Sequence, residues 1–216
     1  MVTTRNRYWT QRITRHVVIL FATLAGTAIF WTLFSDRRDL ISHLSIATAY
    51  PALFLTAAAL LLGPWNVLRR RANPVSFDLR RDLGIWAGAM AVLHTAIGLN
   101  VHMRGRPWLY FIDQQHRARR DLFGFSNDTG ALAALLFLLL LSLSNDLSLR
   151  KLGVARWKFL QRWTYLAIAL TVVHAVAFQM VEKRPLAYQA VLWTTTALIC
   201  GIQIAAWVAR RRQLTT

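Results

Sequence analysis

Residues 83–102 read L-G-I-W-A-G-A-M-A-V-L-H-T-A-I-G-L-N-V-H, and residues 159–181 read F-L-Q-R-W-T-Y-L-A-I-A-L-T-V-V-H-A-V-A-F-Q-M-V. Each is close to the roughly 20 residues a helix needs to cross a bilayer. Each holds a histidine deep in its apolar run, His94 in the first and His174 in the second. An imidazole at that depth is costly unless it is paired or bound, so both are candidate functional residues. Two at matching depth are what bis-histidine ligation of a haem between two helices requires.

The rest of the chain supports a membrane reading. Of 216 residues, 56% are hydrophobic and only 16% are charged, and the charges cluster between long apolar runs. That excludes an ordinary soluble domain and predicts an all-α polytopic bundle. Six spans are expected, at about 17–35, 46–66, 83–102, 127–145, 159–181 and 187–209, as one domain over 1–216. The first is long for a signal sequence and no small-residue cleavage site follows it, so it reads as an anchor. Ser126, Asn127, Asp128 and Thr129 suit a helix N-terminus for the fourth. Trp65, Trp157, Trp163 and Trp207 fall near span ends, as an aromatic belt does. The net charge of +17 comes from arginines that flank spans instead of lining one soluble face, which argues against nucleic acid. The single cysteine, Cys200, excludes an intrachain disulfide and reads as a small buried apolar residue.

Lysine and arginine counts orient the bundle. The N-terminus, the 67–82 and 146–162 loops and the C-terminus carry 17; the opposite side carries 9, including Arg37, Arg38, Arg104, Arg106, Arg117, Arg119, Arg120, Lys183 and Arg184. The positive-inside rule then places both termini in the cytoplasm. The third and fifth spans run in the same direction. His94 lies 13 residues past Arg81 and His174 lies 12 past Arg162. Both imidazoles are therefore roughly 18–20 Å from their basic anchors, at or beyond the midplane toward the outside.

The faces carrying the two histidines are built of small residues. Gly84, Ala87, Ala91, His94, Gly98 and His102 follow three- and four-residue steps, as do Ala167, Thr171, His174, Ala177 and Phe178. Such stripes admit a flat macrocycle; they also serve plain helix packing, with histidine as polar glue. Zinc wants three or four ligands and finds no further donor at this depth. All nine acids sit in loops or at span ends, which leaves no intramembrane carboxylate for proton-coupled transport. No G-x-G-x-x-G or Walker A run is present, so electrons are expected from another molecule. His16 reads as interfacial, while His43, His102, His116, Arg104 and Arg106 are candidates for haem propionates or a partner.

Arg80 to His94 (R-R-D-L-G-I-W-A-G-A-M-A-V-L-H) and Arg150 to His174 (R-K-L-G-V-A-R-W-K-F-L-Q-R-W-T-Y-L-A-I-A-L-T-V-V-H) resemble the third span, and the cytoplasmic loop with fifth span, of the ferric reductase-like transmembrane family. The resemblance is strongest to its MsrQ/YedZ type, the haem-binding membrane subunits of bacterial periplasmic methionine sulfoxide reductase systems. It implies a b-type cytochrome of the inner membrane with haem b between spans three and five. His94 and His174 would be the axial ligands to its iron. It further implies electron transfer from a quinol or a cytosolic flavin reductase to a periplasmic molybdopterin oxidoreductase subunit. Members of this type commonly carry a second fifth-span histidine where this chain has Gln161. A glutamine is a poor haem ligand, so Gln161, Arg162 and Trp163 become candidates for a quinone or FMN pocket. The usual H-x-T-G opening of span two is replaced by H-L-S-I-A-T-A-Y, His43 to Tyr50. Two other readings stay open: a transmembrane metalloreductase acting on ferric or cupric ions, and a haem-free scaffold subunit. The basic 103–126 loop suits an acidic partner or lipid headgroups equally.

Overall fold

Capping side chains set where the helices begin. The computed structural model describes residues 2–33, 39–71, 77–103 and 105–214. Its helices are α1 (Val2–Leu33), α2 (Leu40–Leu68), α3 (Phe77–Gly98), α4 (Leu122–Leu143), α5 (Asp146–Gln161), α6 (Thr164–Val181) and α7 (Leu186–Leu214), with a short 3-10 turn at Pro107–Tyr110. No strand occurs among the described residues, beyond an isolated bridge between Ile112 and Ala118. Asp39 accepts from the Ser42 N–H at 2.9 Å, Asp121 from Gly124 at 2.7 Å and Asn145 from Ser148 at 2.8 Å. Each satisfies a backbone donor that the first helical turn leaves over.

Two of the ends are Schellman turns without glycine. At the end of α2 the Arg71 N–H donates to Asn66 O and the Arg70 N–H to Val67 O, with Arg70 at φ 51°. At the end of α6 the Arg184 N–H donates to Gln179 O and the Lys183 N–H to Met180 O, with Lys183 at φ 49°. These pairs satisfy last-turn carbonyls at the cost of a left-handed residue.

Five helical segments are long and apolar enough to cross a membrane: Trp9–Leu33, Leu40–Leu68, Leu122–Leu143, Asp146–Val181 and Leu186–Gln213. The chain is a multi-pass membrane protein. The third expected span, α3, falls outside that set; Asp78, Arg80, Arg81 and Asp82 in its opening turns lower its apolarity. Several boundaries move. α3 stops at Gly98, because the Tyr110 hydroxyl reaches back to its carbonyl (2.9 Å), so His102 sits in the following turn and not on the helix. α4 starts at Leu122 and not at 127, because Asp121 is its cap. The loop expected before the fifth span is helical: α5 is a cationic helix with no buried residue, kinked at Gly153 (φ 72°), and it parts from α6 at Arg162–Trp163. Arg37, Arg38 and Arg104 lie outside the described residues.

α2 is the centre of the bundle. Tyr50, Leu53, Ala57 and Leu60 pack with Phe30 of α1, Ile168 of α6, and Tyr188, Leu192 and Ile199 of α7. A second cluster, Ala91, Phe137, Leu140 and Ala167, ties α3 to α4 and α6. Cys200 is exposed on α7, since the core-facing side of that helix is taken by Leu192, Thr195 and Ile199. α1 is held to the opening turns of α3 through Asp82, whose side chain has no exposed surface. Arg15 Nε lies 2.9 Å from Asp82 Oδ2, while Arg12 Nε and His16 Nε2 lie 3.7 and 3.4 Å from Oδ1. The Trp86 indole N–H donates to His16 Nδ1 at 3.0 Å, so His16 belongs to a buried network, not to the interface alone.

Candidate functional site

Side chains of α2, α3, α4, α6 and α7 line a cavity of about 260 Å³, with Tyr110 and Phe111 also in its wall. It is near the lower edge of the roughly 300–1,000 Å³ usual for ligand clefts. His94 on α3 and His174 on α6 both line it, with ring centroids 6.4 Å apart and planes 69° apart. Ala49, Ala91, Ala131, Ala134 and Ala175 line part of the wall, with larger apolar residues such as Leu53, Leu99 and Phe137.

The two imidazoles are held in the same way from opposite sides. His94 Nδ1 lies 2.9 Å from the backbone oxygen of Ser45 on α2. His174 Nδ1 lies 2.7 Å from the backbone oxygen of Ser126 on α4. A carbonyl only accepts, so each Nδ1 carries the proton and each ring is left with a basic Nε2. That is how backbone carbonyls orient histidine ligands at metal sites. Each of these serine carbonyls also accepts from a threonine three residues on: Thr48 Oγ1 at 3.1 Å and Thr129 Oγ1 at 3.0 Å. The sequence carries the sign of this arrangement as S-I-A-T (45–48) and S-N-D-T (126–129).

Gly130 completes the second half. A Cβ there would stand 2.5 Å from His174 Nδ1 and 2.8 Å from its Cε1. The ring therefore lies against bare backbone, a place no other residue leaves open. Ser45, Ser126 and Gly130 were not evident as site residues in the sequence, because a carbonyl acceptor leaves no side-chain signature.

Of the sequence candidates, Ala91, His94, Gly98, His102, Thr171 and His174 meet at the cavity. Gly84 and Ala87 do not; they lie on the first half of α3, with Ala87 buried in helix packing. Arg106 is exposed at the head of the 3-10 turn, and Arg104 lies outside the described residues. Gln161, Arg162 and Trp163 stand at the α5–α6 break, away from the cavity; Arg162 and Trp163 are exposed and Gln161 Nε2 is buried without a hydrogen-bond partner.

An aromatic cluster stands at one end of the cavity. Phe178 lies 5.6 Å from His174, 5.8 Å from His102 and 6.0 Å from Phe123 between ring centroids. Tyr110, almost fully buried, donates to Gly98 O and accepts from the His102 N–H, both at 2.9 Å. Arg119 clamps the loop above by donating to Asp121 at 2.8 Å and to Leu109 O at 3.2 Å. That pairing holds the Asp121 carboxyl below its ordinary pKa.

Two basic nitrogens facing one cavity, each set by a hydrogen bond behind it, can bind a transition-metal centre from opposite sides. A protein of Deinococcus radiodurans named "Protein-methionine-sulfoxide reductase heme-binding subunit MsrQ" is 37% identical over 97 residues, spanning 44% of this chain and 44% of that protein. The chain thus aligns with less than half the length of this curated relative. Residues 44–172, which include His94 and end two residues before His174, match the family described as "Ferric reductase like transmembrane component". On this match the chain belongs to the ferric reductase-like transmembrane family.

Proposed function

We propose that this chain is a b-type cytochrome subunit that carries electrons across the bacterial inner membrane, with haem held between α3 and α6 by His94 and His174. The observation that carries the reading is the histidine pair, with both Nδ1 atoms bound to backbone carbonyls and both Nε2 atoms left for a metal. The imidazole rings stand 6.4 Å apart between centroids on facing helices, so the two histidines would hold one metal centre between them. The alanine walls and the bare backbone at Gly130 suit a flat macrocycle. Haem iron, if held there, would supply one-electron transfer between its ferric and ferrous states. The protein's part is to keep both imidazoles neutral and fixed, to exclude water with the aromatic cluster, and to surround the site with low-dielectric side chains that tune the potential.

In this reading all six expected spans cross the membrane, α3 included, with both termini in the cytoplasm. The donor is a quinol or a cytosolic flavin reductase. The acceptor is a periplasmic oxidoreductase of the methionine sulfoxide reductase kind, as the name of the Deinococcus relative suggests. The test is the reduced-minus-oxidised absorption spectrum of the protein purified in detergent. A sharp low-spin α-band at about one haem per chain is expected. It should be lost in both His94→Ala and His174→Ala and kept in His16→Ala. Full haem content in the first two variants overturns the ligation. A colourless wild-type protein, even when expressed with added haem, overturns the electron-transfer reading in favour of a scaffold.

A further inference from the structure

We infer that one end of the cavity is a carboxylate-binding subsite built on Arg184. The inference rests on the haem reading of the same cavity, because haem carries two propionate carboxylates. The Schellman turn at the end of α6 folds the chain back, with the Arg184 N–H on Gln179 O at 3.0 Å and Lys183 left-handed beside it. The arginine is thereby laid over the helix end, its side chain only 11% exposed, where it lines the cavity with Gln179 and Tyr188. Its guanidinium sits over the Tyr188 ring at 5.4 Å. Glu182 Oε2 stands 3.6 Å from Nη2, beyond hydrogen-bond length, and the same carboxylate meets His102 Nε2 at 3.3 Å. Nη1 is buried without a hydrogen-bond partner.

A buried guanidinium N–H with no acceptor has lost its hydration for nothing, which is costly unless a ligand supplies the acceptor. The planar fork of arginine matches a carboxylate above other groups. The rest of the wall is mostly apolar, so an acidic substituent on the ligand finds its counter-charge at this end of the cavity. Arg106, the sequence candidate for that role, is exposed and outside the cavity.

The test titrates the full-length protein, purified without cofactor in detergent, with ferric protoporphyrin and separately with its dimethyl ester, following the low-spin spectrum. The wild type is expected to bind the free acid about tenfold or more tighter than the ester, the size of effect that a charge-assisted hydrogen bond gives. Arg184→Gln should bind the two equally, and Arg184→Lys should keep part of the preference. Equal affinities in the wild type overturn the subsite without any variant. Full preference in Arg184→Gln, with helical content unchanged by circular dichroism, overturns it as well. Failure of both porphyrins to give a low-spin spectrum overturns the haem reading itself, and the subsite with it; a normal spectrum with no acid-over-ester preference overturns the subsite alone.

Discussion

At the scale of single residues, the site depends on atoms with no side-chain identity. Two histidines are set by two backbone oxygens, Ser45 O and Ser126 O, and one ring rests on the absent side chain of Gly130. Gly130→Ala is therefore expected to push the His174 ring off its hydrogen bond. The built methyl would stand 2.5 Å from Nδ1, closer than van der Waals contact allows. In the purified variant the low-spin α-band should fall to a small fraction of wild type while circular dichroism shows the helices intact. Gly84→Ala is the control, because nothing lies within 4 Å of a Cβ there, and it should keep its haem. His94 and His174 themselves were legible in the sequence, since an imidazole deep in an apolar run stands out. The acceptors behind them were not, since every residue owns a carbonyl and only packing selects which one meets a ring.

At the scale of elements, helix starts follow their caps and helix ends hide. Asp121 fixes the start of α4 and, through Arg119, the loop at one end of the cavity. Asp121→Ala should cost about 1 kcal/mol of stability in detergent unfolding, the usual loss for an N-cap. The pH dependence has a definite sign. Hydrogen bonds from Arg119 and Gly124 favour the charged carboxylate and lower its pKa from the ordinary 3.8. Its contribution is then fully present above pH 3.8 and is lost as pH falls through the depressed value. The carboxylate is half exposed, so the effect is small. Melting curves of wild type and Asp121→Ala should converge at the acid end and differ above it. The ends of α2 and α6 use Arg70 and Lys183 where glycine is usual, so no glycine marked them in the sequence. The break between α5 and α6 was equally hidden, because R-W-T carries neither proline nor glycine.

At the scale of the whole molecule, α1 is lightly held. Most of its described side chains face outward, and it is tied to the opening turns of α3 by the Asp82 network with Arg12, Arg15 and His16. Removing the acid leaves two cations beside a buried, uncharged group. Asp82→Asn is expected to destabilise the bundle by about 3 kcal/mol, in the range seen when one partner of a buried ion pair is removed. Thermal unfolding in micelles reads this directly. A loss under 1 kcal/mol would show that the network adds little to the packing of α1. The cavity is lined by α3 from Ala91 onward, whereas Asp82 sits in the opening turns of that helix, so haem binding at low temperature should survive the substitution.

The sequence by itself determined the helical class, the membrane setting, the family and the two histidines at one depth. These follow from composition, run length and residue counts along a helix, all of which are local quantities. Only the tertiary structure decided that α2 is the hub and that the cavity is shared by five helices. It also decided which serine carbonyls aim the imidazoles, and that Arg184, not Arg106, lines the cavity. The physical reason is that those features belong to pairs of residues far apart in the chain. A hydrogen bond across 49 residues (Ser45 to His94) or 48 (Ser126 to His174) exists only once packing has brought the helices together.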